Sequence, residues 1–185
     1  MKAKRSAGWR VVVVLAAAGA MLFGAATTAA TAASAATRQQ AAQALAAPRL
    51  VILAQDGGAR LLDAHEIASQ DYNVVTRPYQ ADNTQKWWLT DLGGGLYTLQ
   101  QASSGRFLDA HEIASLDYRV VTRPRQTFDN TQLWRLQDYG GAFYTVQQLS
   151  SGRYLDAYVS SAQDFRAVTR PWTGANSQVW RIVGA

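Results

Sequence analysis

Asp63 and His65 stand two residues apart in Leu62-Asp63-Ala64-His65-Glu66, and Leu108-Asp109-Ala110-His111-Glu112 repeats the arrangement. A carboxylate accepts hydrogen bonds, and an imidazole can donate or accept them. Side by side they could hold neighbouring hydroxyls of a ligand, with the imidazole as a donor or a small platform. A third copy, Leu155-Asp156-Ala157-Tyr158-Val159, keeps the aspartate and loses the His-Glu pair. It acts as a control inside the chain.

Two further groups travel with each copy. A Thr-Arg-Pro close supplies Arg77, Arg123 and Arg170, and Gln-x-Trp motifs supply Gln85, Gln132 and Gln178 ahead of Trp87, Trp134 and Trp180. Asn83, Asn130 and Asn176 lie two residues before each glutamine. Carboxylate, guanidinium and amides together suit hydrogen bonding to a ligand rich in hydroxyls.

Catalysis fits poorly. There is no Gly-x-Ser-x-Gly elbow and no phosphate loop, and His-Glu lacks the second histidine of the zinc-protease motif. Glycoside hydrolysis needs two acids across one cleft, whereas these acids recur three times. No cysteine occurs, which excludes disulfides, thiol nucleophiles and Cys-ligated zinc. The expectation is a protein that is not an enzyme, with no catalytic residue, metal site or cofactor.

The elements that must position these residues follow from the repeat. Asp63, Asp109 and Asp156 are spaced by 46 and 47 residues, and Gln85, Gln132 and Gln178 by 47 and 46. "VILAQ", "YTLQQ" and "YTVQQ" each begin twelve residues before their aspartate. A fixed period of this size marks a repeat architecture. Each unit reads as four short strands, in the second copy about Tyr97–Gln101, Arg106–His111, Arg119–Arg123 and Leu133–Gln137, rich in Val, Tyr, Thr and Trp. Glu66 to Ser69 could form one helical turn. On an extended strand, Leu62 and Ala64 are expected to face the core and Asp63 with His65 to face outward.

Three four-stranded units are too few for a propeller, which typically needs 4–8 blades. The remaining way to hide the edges is a closed barrel capped by hairpins: an all-β fold, a β-trefoil of three pseudo-symmetric repeats at about 49–95, 96–142 and 143–185. The tryptophans are expected in its core. Tyr72, Tyr118 and Phe165 are expected to plug the hairpins.

Lys2, Lys4, Arg5 and Arg10 precede an apolar run from Val11 to about Ala26, followed by Ala33-Ser34-Ala35. That is the pattern of a secretory signal peptide over 1–35, with a flexible Ala- and Gln-rich leader over 36–48. The apolar run is shorter than the roughly 20 residues of a spanning helix. The formal charge of +5 then largely disappears: 14 Lys and Arg against 13 acids leave +1 from Ala36 onward. A chain so near neutrality has no strong electrostatic attraction to phosphate backbones. The expectation is a secreted monomer with no nucleic-acid partner and no membrane insertion.

Three Gln-x-Trp motifs in phase with three Leu-Asp-Ala motifs resemble the ricin B-type β-trefoil lectin family, across roughly Arg49 to Ala185. The resemblance implies glycan or polysaccharide partners. It implies that Asp63, Asp109 and Asp156 hold sugar hydroxyls while Gln85, Gln132 and Gln178 orient them. His65, His111 and Tyr158 stand beside these anchors. The chain departs from the family where a stacking aromatic is usual, at Arg77, Arg123 and Arg170. Thr84, Thr131 and Ser177 replace the usual Asn before Gln, so Asn83, Asn130 and Asn176 are the nearest amides. The arginines could pair with Asp71, Asp117 and Asp164, six residues earlier in each copy, or contact an acidic sugar. The expected function is a lectin-like protein with up to three shallow sites. The first two are expected to bind, and the third weakly or differently. The alternative is a protein-interaction module such as a protease-inhibitor-like trefoil.

Overall fold

The computed structural model describes residues 47–127 and 129–185. The expected signal peptide and nearly all of the leader lie outside them. Twelve strands run in order: β1 Arg49–Gln55, β2 Arg60–Ala64, β3 Val74–Pro78, β4 Trp87–Gly93, β5 Leu96–Gln101, β6 Phe107–Ala110, β7 Val120–Arg123, β8 Trp134–Gly140, β9 Phe143–Gln148, β10 Tyr154–Ala157, β11 Ala167–Arg170 and β12 Val179–Gly184. The second repeat thus holds the four expected strands, with β8 starting one residue later and running on to Gly140.

Six strands close a ring. β1 pairs with β4, β4 with β5, β5 with β8, β8 with β9, β9 with β12, and β12 returns to β1, all antiparallel. Closure leaves no barrel strand with a free edge. The other six form the hairpins β2–β3, β6–β7 and β10–β11. These meet one another through the bridges Asn73↔Val121, Val75↔Arg166 and Arg119↔Val168. The chain is the expected β-trefoil.

The core follows the repeats. Trp87, Trp134 and Trp180 are fully buried among Leu53, Leu62, Leu99, Leu108 and Leu155. Each indole N–H donates to a hairpin carbonyl, of Leu62, Leu108 or Leu155, at 3.0–3.1 Å. A buried tryptophan needs such a partner, and here the bond ties the last strand of each unit to its hairpin.

A second set of buried amides joins the units. Gln101 Nε2 donates to the Ala64 and Thr84 carbonyls of the first repeat, and Gln148 Nε2 to Ala110 and Thr131 of the second. Gln55 Nε2 closes the circle on Ala157 and Ser177 of the third. Every repeat therefore satisfies carbonyls of the one before it. Among the described residues, no helix is long and apolar enough to cross a membrane.

The expected helical turn lies slightly downstream, at Ala68–Gln70, because Ile67 is still extended. Its exit is unusual. Asp71 and Tyr72, Asp117 and Tyr118, and Asp164 and Phe165 all have φ between 48° and 56°. Two consecutive left-handed non-glycine residues are costly, of order 1–3 kcal/mol each. The aromatic rings at these turns are covered by guanidinium groups of the following repeat: Arg106 over Tyr72, Arg153 over Tyr118 and Arg60 over Phe165, at 3.4–3.6 Å. The expected plug is in fact a sandwich between repeats.

Replacing Trp134 with alanine empties a fully buried site and strands the Leu108 carbonyl. The expected cost is about 3–5 kcal/mol, measured by urea unfolding. A loss below about 1 kcal/mol would show that the indole does not fill the core.

Candidate functional site

The hairpins bring the repeated polar residues together, but not with the expected orientation. Asp63, Asp109 and Asp156 are 0%, 3% and 2% exposed. They do not face outward. Alternation predicts an exposed face only where one side of a strand meets water. Here one side of β2, β6 and β10 packs on the core and the other lies under arginine and the neighbouring repeat.

Each buried carboxylate is paired with the arginine of its own Thr-Arg-Pro segment. Arg77 Nη1 donates to Asp63 Oδ2 at 3.5 Å, and Arg170 Nη1 to Asp156 Oδ2 at 3.3 Å. In the second repeat the arginine is looser, with Arg123 Nε 4.0 Å from Asp109 Oδ2. Gln132 Nε2 donates to that oxygen at 3.3 Å, and the Ala110 amide donates to Asp109 Oδ1 at 2.7 Å. Asp63 Oδ1 and Asp156 Oδ1 have no hydrogen-bond partner among the described residues. The three guanidinium groups remain about one-third exposed.

From sequence, Asp71, Asp117 and Asp164 are one of two possible partners for the arginine of their own copy, beside an acidic sugar. The structure pairs them across repeats instead. His111 Nε2 lies 2.7 Å from Asp71 Oδ2, and Arg123 Nη2 lies 3.8 Å from Asp71 Oδ1. Tyr158 donates its hydroxyl to Asp117 Oδ2 at 2.8 Å, where Arg166 also donates at 3.1 Å. His65 Nε2 is 3.9 Å from Asp164 Oδ2. The left-handed turn aims each aspartate at its neighbour.

This geometry explains the control copy. The third repeat loses histidine but keeps the contact, because a tyrosine hydroxyl supplies a donor at the same place. Glu66 and Glu112 are exposed and belong to none of these contacts.

The glutamines of Gln-x-Trp are buried braces. Gln85, Gln132 and Gln178 donate to the carbonyls of Pro78, Pro124 and Pro171 at 2.8–2.9 Å. Their Oε1 atoms accept from the amides of Gln80, Gln126 and Thr173 at 2.8–3.0 Å. Only Gln132 also touches its aspartate. Asn83, Asn130 and Asn176 are exposed.

One cluster of potential ligand-binding side chains was not assigned from sequence. Tyr139 of the second repeat meets Tyr154 and Trp172 of the third on the surface, with ring centroids 6.1 Å apart for Tyr139–Trp172 and 5.2 Å for Tyr154–Trp172. The replacement of Tyr79 and Arg125 by Trp172 after the conserved-in-register proline was the only available signal.

Residues 130–185 match the family of ricin-type β-trefoil lectin domain-like proteins. No curated protein matches. Among solved structures, the chain is similar to a designed threefold-symmetric protein, ThreeFoil, at 28% identity over 74% of this chain and 99% of that one, TM-score 0.67. It is also similar in fold to an exo-β-1,3-galactanase from Clostridium thermocellum (21% identity, 74% of this chain and 30% of that one, TM-score 0.65). A Polyporus squamosus lectin bound to a sialylated epitope is a third relative in fold (16% identity, 75% and 49%, TM-score 0.62). The family match covers the third repeat and the end of the second, and the likeness to these solved structures is one of β-trefoil fold.

The electrostatics of the hairpin cap carry a pH dependence. Burial, and then the Arg77 guanidinium, hold the His65 pKa below its ordinary value, against the weaker pull of Asp164 and Asp63. Arg77 Nη2 lies 3.0–3.1 Å from the ring nitrogens, which suits a neutral imidazole accepting from arginine. The unfolded chain therefore binds a proton more readily than the fold does. The stability from neutral His65 is fully present above the unfolded pKa of about 6.5 and is lost as pH falls through the lower folded value. Urea midpoints at pH 7.5 and 5.5 are expected to differ more in the wild type than in His65→Gln.

Proposed function

We propose that this chain is a secreted carbohydrate-binding protein with up to three shallow glycan sites, one at the rim of each hairpin. The observation that carries this reading is the threefold recurrence of one polar arrangement in a chain whose last repeat matches a lectin-type family. Each buried aspartate holds an arginine whose remaining N–H donors reach solvent. Each rim also carries an exposed asparagine, at Asn83, Asn130 or Asn176. Guanidinium and amide together donate to and accept from sugar hydroxyls. In this reading the aspartates act by fixing the arginines from beneath. Weak sites repeated around a monomer suit a multivalent glycan through avidity.

A second reading, a protein-interaction module, is favoured by one feature. Ile67 and Ile113 stand exposed at equivalent hairpin positions, and in the third repeat Val159 is exposed one position earlier, ahead of Ser160. Such a ring of aliphatic side chains could dock a partner protein.

A glycan array separates the two. The wild type is expected to bind glycans, and Asn83→Ala, Asn130→Ala and Asn176→Ala are each expected to weaken binding about two- to tenfold, one hydrogen bond's worth. As exposed substitutions they are expected to leave unfolding within about 0.5 kcal/mol of the wild type. An empty array, with capture of a protein that Ile113→Asp abolishes, would select the second reading.

A further inference from the structure

We infer that the seam between the second and third repeats carries an aromatic subsite for a neutral sugar, built from Tyr139 of the second and Tyr154 and Trp172 of the third, and separate from the Asp156–Arg170 pair. The inference rests on the carbohydrate-binding reading above and names the surface and ligand class for one site.

Trp172 is 40% exposed and Tyr139 59% exposed, while Tyr154 is half-buried beneath the indole. Exposing two large rings side by side has a solvation cost that a folded surface usually avoids, and contiguous exposed patches of this kind mark binding sites. The rings enclose a cleft of about 190 Å³ with Gln137, Asp138 and Thr145. Drug-sized pockets run to roughly 300–1,000 Å³, so this cleft suits one or two sugar rings.

The platform is held in place before any ligand arrives. Gln178 accepts from the amide and the hydroxyl of Thr173, both at 2.8 Å, and donates to the Pro171 carbonyl at 2.9 Å. Trp172 sits between those two anchored residues. Its loop is thus fixed on both sides by one fully buried amide. On the facing hairpin, the register shift between Asp138 and Gly140 sets Tyr139 at the bulge. The Gly140 amide donates to Asp138 Oδ1 at 2.7 Å there. A site whose rings are fixed in advance loses little rotamer entropy on binding.

The lining chemistry selects the ligand. Aromatic faces take the C–H face of a pyranose, and Gln137, Thr145 and Asp138 Oδ2 offer hydrogen bonds to its hydroxyls. Asp138 is the one charged residue lining the cleft. It repels sialic and uronic acids, so the ligand is neutral. The other repeats show that the fold does not require the cluster. At equivalent positions the seam between the first and second repeats has Leu92, Phe107 and Arg125, with Arg125 stacked on Phe107 at 5.0 Å. The first presents Tyr79 on the same kind of glutamine-braced loop. A proline-rich peptide also docks on aromatic clusters, but the three rings lie wholly within the stretch that matches the lectin-type family, residues 130–185.

The test uses the mature protein titrated with lactose, cellotriose, laminaritriose, mannotriose, 6′-sialyllactose and deca-proline, followed by calorimetry and tryptophan emission. At least one neutral oligosaccharide is expected to bind and shift the emission, with 6′-sialyllactose weaker than lactose. Trp172→Ala and Tyr139→Ala are each expected to weaken that binding about tenfold or more, as loss of a central aromatic contact does. Trp172→Phe is expected to retain part of it. Trp88→Phe, which removes an equally exposed tryptophan from the barrel, is expected to leave affinity unchanged. Both exposed variants keep the core intact, so unfolding midpoints check the fold. Neutral-sugar binding that survives in Trp172→Ala overturns the subsite and leaves the lectin reading standing. No binding of any sugar by the wild type, with or without binding of deca-proline, overturns both.

Discussion

The structure depends on polar groups that no repeat can satisfy by itself. The Thr76 amide donates to the Phe165 carbonyl, the Thr122 amide to Tyr72 and the Thr169 amide to Tyr118, at 2.9–3.0 Å. Gln55, Gln101 and Gln148 make the same step between repeats inside the barrel. Buried backbone groups without partners cost roughly as much as lost hydrogen bonds. One or two repeats would leave such groups stranded, whereas three close the circle. This makes the trefoil a ring of mutual obligations, with cooperativity between repeats as the physical result.

The same cyclic logic accounts for the strained turns. Consecutive left-handed residues at Asp71–Tyr72 and its copies present three things at once to the neighbour: a carbonyl, an aromatic face and a carboxylate. The following repeat answers with an amide, a guanidinium and an imidazole or phenol donor. Arg106 shows the economy of this, since it stacks on Tyr72 while donating to the Thr122 carbonyl at 2.8 Å. The local strain is offset by contacts that exist only after closure.

The buried Asp–Arg pairs sit between scaffold and site. Removing either partner of such a pair leaves an uncompensated charge, which is costly. Yet two of the three aspartates keep one oxygen without a protein partner, and each arginine retains exposed donors. In the proposed reading those features let the pair support a ligand as well as clamp the hairpin. The aromatic cluster between the second and third repeats is built differently. The brace formed by Gln178 has counterparts in the other copies, and what varies is the side chain it displays: Tyr79, Arg125 or Trp172. A symmetric scaffold can thus display unlike side chains, because each bracing glutamine binds the backbone on either side of the displayed residue, with the Asp109 carboxylate and the Thr173 hydroxyl as added partners in single copies.

The amino-acid sequence determined the repeat, the twelve strands, the trefoil and the tryptophan core. Those features rest on local pattern and on a period of 46–47 residues, which survive without knowledge of what packs where. Ricin-type resemblance came from the same repeated motifs. Tertiary structure alone decided that Asp63, Asp109 and Asp156 are buried, since alternation along a strand cannot reveal that both of its faces are covered. It also decided that His111 and Tyr158 answer aspartates of the preceding repeat, a pairing across the pseudo-threefold axis that spacing within one copy points away from. And it brought Tyr139, on a barrel hairpin, to Trp172, on a loop of the next repeat. Contacts of that kind are set by how closed elements pack in three dimensions, and a one-dimensional period holds no record of them.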